Sequence, residues 1–330
     1  MSAQSKVPEA RGDMTEAPAL TGSWQEPTRV PARALGLDLA VVLSYCELTK
    51  PRVVSLLIFT AMVGMLLASP TNLASVPWTV IFWANVGIAF ASGAAAAINH
   101  VVDRQIDGQM KRTHSRPLPN DAVSVTGALV FATMLMAISI VVLVVFVNQL
   151  TAILTMAGLV GYAGIYTGFL KRRTPQNIVL GGAAGAIPPV LGWAAVTGHA
   201  PLESWLLFLI VFLWTPAHFW PLAIYRREEY ARVGVPMMPV TRGVRHTSWL
   251  ILGYTIATVA ATELPFFVHK MAGMPYLIGA NLLGAGFLYH AVRLISAPEK
   301  HNPMRMFGYS IAYLAVLFAL LLGDHYLQGF

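Results

Sequence analysis

Three residues that carry metal-binding oxygens stand four positions apart in the segment NHVVDRQID. Asn99, Asp103 and Asp107 follow an apolar run over 76–98, and a helix that continued beyond this run would align them on one face. We call this set the acidic stripe. Mg²⁺ is usually held in proteins by one or two carboxylates together with substrate phosphates. The acidic stripe therefore predicts a metal site for a diphosphate, with these three residues in catalytic and metal-binding roles.

Basic residues follow the acidic stripe closely. The segment KRTHSRPLP begins at 111, and a second basic run, KRR, occupies 171–173. Acids alone would also mark the water-facing end of a membrane helix, and basic residues alone would also fix its orientation. In combination they suit a diphosphate site, because carboxylates hold the metal while guanidinium and ammonium groups hold phosphate oxygens. The predicted diphosphate-binding residues are Lys111, Arg112, Arg116, Lys171 and Arg172.

A second acidic cluster lies in the segment AIYRREEYARVGVPMMP. Like the acidic stripe, Glu228 and Glu229 come where an apolar run ends and are followed by arginine and proline. This weak internal repeat predicts a second acidic, metal-binding face at the two glutamates. A water-exposed helix with Arg–Glu pairs would produce the same spacing, so both interpretations stay open.

The composition places these residues in a membrane protein. Of the 330 residues, 56% are hydrophobic and 11% are charged, and the mean hydropathy is +0.62, values that soluble domains do not share. A spanning helix needs about 20 apolar residues to cross about 30 Å of hydrocarbon. Nine such runs predict an all-α, polytopic membrane protein with a single nine-helix domain over 39–330. The runs are 53–70, 76–98, 122–143, 148–169, 177–197, 203–224, 247–268, 274–295 and 307–327.

The charge distribution predicts the orientation. Lysine and arginine accumulate in cytoplasmic loops, and if the N-terminus is cytoplasmic, all of the 22 lysines and arginines except Lys270 fall on that side. Residues 1–38 carry both signs of charge without an apolar core long enough for a signal peptide, and their acids argue against a transit peptide. We therefore predict a disordered cytoplasmic tail over 1–38, an active site on the cytoplasmic side, and a C-terminus on the outer side.

Several classes of site are excluded by the sequence. The single cysteine, Cys46, rules out an intrachain disulfide and a cysteine metal cluster. There is no GxxxxGK phosphate loop, and orientation rather than nucleic-acid binding explains the net charge of +7. The expected substrate is therefore a lipid-tailed diphosphate, whose departure would leave an allylic carbocation. Aromatic rings near the cytoplasmic helix ends could shield that cation, although such rings are also common membrane anchors. They are Tyr162, Tyr166, Trp193, Phe212, Trp214, Phe219 and Trp220.

Longer segments resemble a known family. The segment INHVVDRQIDGQMKRTHSRPLP resembles the N-x-x-x-D-x-x-x-D signature of the UbiA superfamily of intramembrane prenyltransferases. LTKPRV at 48–53, RTHSRPLP at 112–119, and the segments 166–198 and 214–240 are similar to its protohaem IX farnesyltransferases. The resemblance begins near 48 and extends to the C-terminus. It implies nine helices around a central cavity, and transfer of the farnesyl group of farnesyl diphosphate to the 2-vinyl group of haem b, giving haem O and diphosphate.

The resemblance also implies roles for single residues. It assigns the acidic stripe to Mg²⁺ and diphosphate, but Glu228 and Glu229 stand where the wider superfamily has a second D-x-x-x-D-like motif. The adjacent Arg226 and Arg227 are candidates to meet the haem propionates. The candidate ligands of the haem iron are His218 and His100, each of which could equally be a buried structural residue.

Two other functions remain open on the sequence alone. Prenylation of an aromatic acid or a quinone precursor would share the acidic stripe but not the segments 166–198 and 214–240. A transporter would distribute charges along a path near the bilayer midplane, whereas here they concentrate at one face. The family implies a bacterial inner membrane, with membrane lipid around the chain and haem-modifying enzymes or terminal-oxidase assembly downstream.

Overall fold

The described part of the molecule is entirely helical in its regular structure, as predicted. A computed structural model describes residues 39–268, 271–296 and 302–328. The predicted tail at 1–38 and the side chain of Arg172 lie outside the described part. The α-helices are α1 Leu39–Leu48, α2 Pro51–Leu67, α3 Trp78–Gln109, α4 Val125–Phe146, α5 Gln149–Val160, α6 Asn177–Ala186, α7 Pro188–Thr197, α8 Leu202–Tyr225, α9 Arg227–Arg232, α10 Met238–Thr241, α11 Gly243–Phe267, α12 Met274–Ser296 and α13 Pro303–Gln328.

The nine predicted spans all have a counterpart. Within the described ranges, eight helical segments are long and apolar enough to cross a membrane, and α1 with α2 makes a ninth if this bent pair is one span. The chain is therefore a multi-pass membrane protein. The helix α3 continues beyond the predicted run to Gln109, which confirms the prediction that one helix carries the whole acidic stripe.

The first span differs from its prediction. The predicted run is 53–70, whereas the helical pair starts at Leu39 and bends by 49° where α1 meets α2. Pro51 lacks a backbone N–H and disfavours helical geometry in the residue before it. Lys50 has left-handed backbone geometry, with a φ of 51°, which interrupts the helix. The bend therefore lies at the step from Lys50 to Pro51.

Small residues let two helices of the bundle touch through their backbones. A Cβ atom added to Gly64 of α2 would overlap the carbonyl oxygen of Pro189 in α7, and one added to Gly192 would overlap that of Ala61. Close approach of this kind is how membrane helices pack without help from the hydrophobic effect. The contact fixes α7 beside α2, and both helices line the cavity described below.

The largest buried core reaches the acidic stripe, since Ile106 of α3 packs against it. It is formed mainly by α8, α11, α12 and α13, and its largest fully buried side chains are Trp220, Tyr276, Tyr313, Phe287 and Phe318. This densely packed half of the molecule supports one wall of the site through α8.

Candidate active site

The acidic stripe is buried at the end of α3. The exposed fractions of Asn99, Asp103 and Asp107 are 3%, 2% and 5%. The Asn99 Nδ2 donates to Asp103 Oδ2 at 2.9 Å and to Thr167 Oγ1 at 3.2 Å. Carboxylates in such positions need cations or metal ions nearby, because burying an unpaired charge is costly.

Each side chain of the acidic stripe has a basic partner. Lys171 pairs with Asp103 Oδ2, and the Arg116 Nη1 lies 2.7 Å from Asp107 Oδ2. The Lys50 Nζ donates to Asn99 Oδ1. Lys50 and Lys171 are far from the acidic stripe in sequence, whereas Arg116 is nine positions from Asp107. The fold thus gathers acidic and basic groups in the combination that was expected for a diphosphate site.

Lys50 is a site residue that sequence reasoning did not assign. It lies at the break between α1 and α2, and its left-handed backbone is unfavourable for a residue with a side chain. Strained backbone of this kind concentrates at functional sites. The sequence feature that could have indicated Lys50 is its position directly before a proline, at the start of an apolar run.

A deep cavity opens beside the acidic stripe. Its volume is about 440 Å³, within the range of small-molecule sites. The helices α2, α3, α5, α6, α7 and α8 contribute most of its wall. Polar groups gather at one end, and the rest of the wall is mainly apolar. The polar lining residues at this mouth include Lys50, Asn99, Asp103, Asp107, Arg112, Arg116, Lys171 and Tyr230.

A short π-helix brings two tyrosines into the cavity wall. Between α5 and the basic run, residues Gly161–Thr167 form a π-helix, a geometry often found at functional sites. The rings of Tyr162 and Tyr166 lie 5.5 Å apart, and both line the cavity. A Cβ added to Gly181 would overlap the Tyr166 ring. The glycine therefore makes room for this ring.

The other predicted aromatic residues divide into two groups. Trp214 and Phe219 also line the cavity. Trp193 and Phe212 are partly buried against the large core, and Trp220 is completely buried within it. Four of the seven rings thus line the cavity, where they could shield a cation. The other three are packed in or against the large core and do not line the cavity.

The predicted diphosphate-binding residues are not all at the mouth of the cavity. Arg116 and Lys171 contact the acidic stripe, and Arg112 lines the cavity. Lys111 is exposed and does not line it, because the turns after α3 direct it outward. The side chain of Arg172 lies outside the described part.

Neither glutamate of the second acidic cluster lines the cavity. Glu228 is exposed, and Glu229 Oε2 lies 3.1 Å from the Arg226 Nη1. Arg227 is also exposed. In this segment Tyr230 is the residue that lines the cavity, and burial raises its pKa while Arg112 and Arg226 oppose that rise. The structure therefore brings Tyr230, but not the two glutamates, to the acidic stripe.

The two candidate iron ligands are buried outside the cavity wall. The His218 ring lies between Trp214 and Phe307, at 4.2 and 4.5 Å, and its Nδ1 is 2.7 Å from Ser310 Oγ. Neither ring nitrogen of His100 has a hydrogen-bond partner, and its exposed fraction is 1%. Neither histidine lines the cavity.

The oxygens of the acidic stripe fit Mg²⁺ with a substrate. Within the described ranges, no three His, Cys, Asp or Glu side chains converge to hold a metal ion. Two carboxylates and one amide oxygen leave coordination positions for other ligands. This donor set suits Mg²⁺ when substrate phosphates complete the shell.

Comparisons of the sequence identify close relatives. The model of the UbiA prenyltransferase family matches residues 57–321. Protoheme IX farnesyltransferase 1 of Pseudomonas fluorescens (strain Pf0-1) is 55% identical over 297 residues, which are 90% of this chain and 96% of that protein. Protoheme IX farnesyltransferase of Marinobacter nauticus is 55% identical over 86% of this chain and 92% of its own.

Solved structures share the fold at low sequence identity. A digeranylgeranylglyceryl phosphate synthase has a TM-score of 0.73 with 18% identity, over 87% of this chain and 99% of its own. A UbiA homolog from Aeropyrum pernix K1 has a TM-score of 0.65 with 20% identity, over 83% and 98%. A UbiA homolog from Archaeoglobus fulgidus, bound to GPP and Mg²⁺, has a TM-score of 0.57 with 17% identity, over 84% and 99%. With the family match over most of its length, the chain belongs to the UbiA prenyltransferase family and groups with the protoheme IX farnesyltransferases.

Proposed function

We propose that this protein transfers the farnesyl group of farnesyl diphosphate to the 2-vinyl group of haem b, forming haem O and releasing diphosphate. The observation that carries the proposal is the buried acidic stripe, with its basic partners, at the mouth of a deep apolar cavity. The acceptor is inferred from the relatives that are 55% identical and named protoheme IX farnesyltransferase.

The acidic stripe and its basic partners would hold the diphosphate. Asn99, Asp103 and Asp107 would bind Mg²⁺, which when bound neutralises charge on the departing diphosphate. Lys171 and Arg116 already lie against these carboxylates, so a short movement would bring them to phosphate oxygens. Arg112 and Lys50 line the same mouth. The UbiA homolog bound to GPP and Mg²⁺ supports this proposal.

The apolar part of the cavity would control the allylic cation. Tyr162 and Tyr166 line the same cavity as the acidic stripe. Their rings would stabilise the cation that forms there as diphosphate leaves. Apolar walls exclude water that would otherwise capture the cation. The vinyl group of the acceptor then supplies the electron pair for the new carbon–carbon bond. The cation that this leaves on the acceptor is captured by a water molecule, which loses a proton to give the hydroxyl group of haem O.

The acceptor would approach beside α6. Here Gly185 faces open space, since a Cβ atom added to it would meet nothing within 4 Å. A flat macrocycle needs a wall without projecting side chains, and Gly185 lines the cavity here. Gly181 and Gly182 also line it, but they lie against Tyr166 and Thr215. Ligation of iron by His218 would require its ring to leave the stack with Trp214 and Phe307, and His100 would have to reach the cavity from its buried position.

We further propose that this reaction takes place at the cytoplasmic face of a bacterial inner membrane. The bias of Lys and Arg supports a cytoplasmic N-terminus and a periplasmic C-terminus. The product would pass to haem-modifying enzymes or terminal-oxidase assembly, and membrane lipid would surround the helices.

The proposal is tested with the purified chain in detergent, haem b, farnesyl diphosphate and Mg²⁺. Mass spectrometry should detect the farnesylated haem with the wild-type chain and lose it with Asp103→Ala. Absence of the adduct from folded wild-type protein would contradict haem as the acceptor, and a quinone precursor or aromatic acid in the same assay would then be tried.

A further inference from the structure

The cavity extends along α3 as a groove of limited length. From the acidic stripe toward the N-terminus of α3, the helix contributes small side chains to the cavity wall, namely Ala91, Ser92, Ala95 and Ala96. Ile88 is the lining residue of α3 that is farthest from the acidic stripe. Asn99 is eleven positions after Ile88, which at 1.5 Å per position is a distance of about 16 Å along the helix.

Two buried aliphatic side chains close this groove. Ile88 of α3 and Leu191 of α7 both line the cavity, and their exposed fractions are 1% and 3%. Both also belong to a core cluster that includes Met65 and Ala84. Because a packed cluster lies directly behind them, the cavity ends there instead of continuing to the outer ends of the helices. We call these two residues the floor.

The depth of the groove matches one class of prenyl chain. An extended chain advances about 1.2 Å per bond, so the twelve-carbon main chain of a farnesyl group measures about 13 Å and the sixteen-carbon chain of a geranylgeranyl group about 18 Å. The farnesyl chain is shorter than the distance from Asn99 to the floor, and the geranylgeranyl chain is longer. The small side chains of α3 leave the required width along this path.

We propose that Ile88 and Leu191 determine the length of the prenyl chain that the site accepts, by excluding diphosphates longer than farnesyl. The inference rests on the proposed prenyl diphosphate substrate, and it adds the residues that select it. A chain with one more isoprene unit must fold back or displace the core cluster behind the floor, which is close-packed and resists small changes in volume.

A binding experiment without any acceptor tests this inference. The dissociation constants of the thiolodiphosphate analogues of geranyl, farnesyl and geranylgeranyl are measured with Mg²⁺ for the chain in detergent. In Ile88→Ala and in Leu191→Ala, we expect the preference for farnesyl over geranylgeranyl to fall about tenfold, the size of effect that one apolar group has on pocket selectivity.

Matched variants separate selectivity from lost stability. Ile81 belongs to the same core cluster as Ile88 and has an exposed fraction of 3%, but it does not line the cavity. The Ile81→Ala variant should therefore lose stability without changing the preference. Ala91→Leu should shorten the groove, weakening the farnesyl analogue about tenfold relative to the geranyl analogue.

The possible results are distinct. Unchanged preferences in both floor variants, with folded protein, would overturn the inference and leave the proposed reaction intact. Changed preferences together with no haem adduct would support the floor and contradict the acceptor. A wild-type chain that binds none of the analogues would overturn the floor and the diphosphate site together.

Discussion

The two charged connections that look alike in sequence differ in how the structure buries and pairs their acidic residues. In the first, Asp103 and Asp107 are buried and line the cavity. Asp103 is paired with Lys171, which is 68 positions away, and Asp107 with Arg116, which is nine positions away. In the second, Glu228 is exposed and Glu229 is paired with Arg226 on nearly the same turn. The first region therefore depends on a long-range contact with Lys171, whereas the ion pair of the second region joins residues three positions apart.

The difference arises from how the two helices end. The helix α3 carries the acidic stripe inside a continuous helix that extends to Gln109, so the four-residue spacing keeps all three side chains on one face. The helix α8 ends at Tyr225, and the short α9 starts again at Arg227. Because of this break, the side chains of α9 do not continue the faces of α8. In this chain, Asp103 and Asp107 on the unbroken helix α3 line the cavity, and the glutamates that follow the break do not.

The largest expected effect separates the two acidic regions directly. Asp103→Asn keeps the size of the side chain but removes a buried charge that pairs with Lys171. We expect it to lower the rate of haem farnesylation about 1000-fold, the scale seen when a group that stabilises transition-state charge is lost. Glu228→Gln should leave the rate within about twofold, because rim charges contribute little. Equal losses in the two variants would show that the second cluster also acts in the reaction.

A smaller but still large effect is expected at the bend between α1 and α2. Lys50→Met removes the group that donates to Asn99 and lines the mouth of the cavity. We expect kcat/KM for farnesyl diphosphate to fall about 30-fold, since charge-assisted hydrogen bonds to phosphate are among the strong ones. Lys50→Arg should recover part of the loss.

Arg52→Met is the matched control for Lys50, because Arg52 is exposed in the first turn of α2. Its kcat/KM should match the wild type. A Lys50→Met enzyme with unchanged kcat/KM would remove Lys50 from the diphosphate site and leave its backbone strain without a functional explanation.

The sequence predicted the spans and the acidic stripe well for a physical reason. Hydrophobic runs and four-residue spacing are local properties, and the nine runs and the continuous α3 depend on little else. Lys50 was missed because its role depends on Asn99, which is 49 positions away and reaches it only in the folded bundle. Lys111 and Arg112 are adjacent in sequence and both are exposed, yet only Arg112 lines the cavity, since loop geometry rather than residue type determines which side chain reaches it.

A stability measurement sharpens the contrast further. Arg116→Ala would leave Asp107 unpaired with a side-chain exposure of 7%, whereas Arg226→Ala would leave Glu229 unpaired at 17%. We expect the first change to cost about 2 kcal/mol of folding free energy and the second less than about 1 kcal/mol. Thermal unfolding in detergent, without Mg²⁺ or diphosphate, gives the order. A larger loss of folding free energy in Arg226→Ala than in Arg116→Ala would mean that the ion pair of the second cluster contributes more to stability.

The smallest expected effect concerns the surface of α9, where the second region could still serve the acceptor. Arg227 is exposed, so it could attract the haem propionates only as a rim charge, and rim charges act mainly on association and on salt dependence. Arg227→Ala should therefore raise the KM for haem about threefold at low salt, less at high salt, and leave the KM for farnesyl diphosphate unchanged. Arg232→Ala, in the last turn of the same helix, is the matched control for a general loss of positive charge. If the two variants raise the haem KM equally, the effect comes from the general positive charge of this surface and not from Arg227 itself. If neither changes the haem KM, the arginines of α9 have no part in binding the acceptor, and the two regions differ in function as well as in burial.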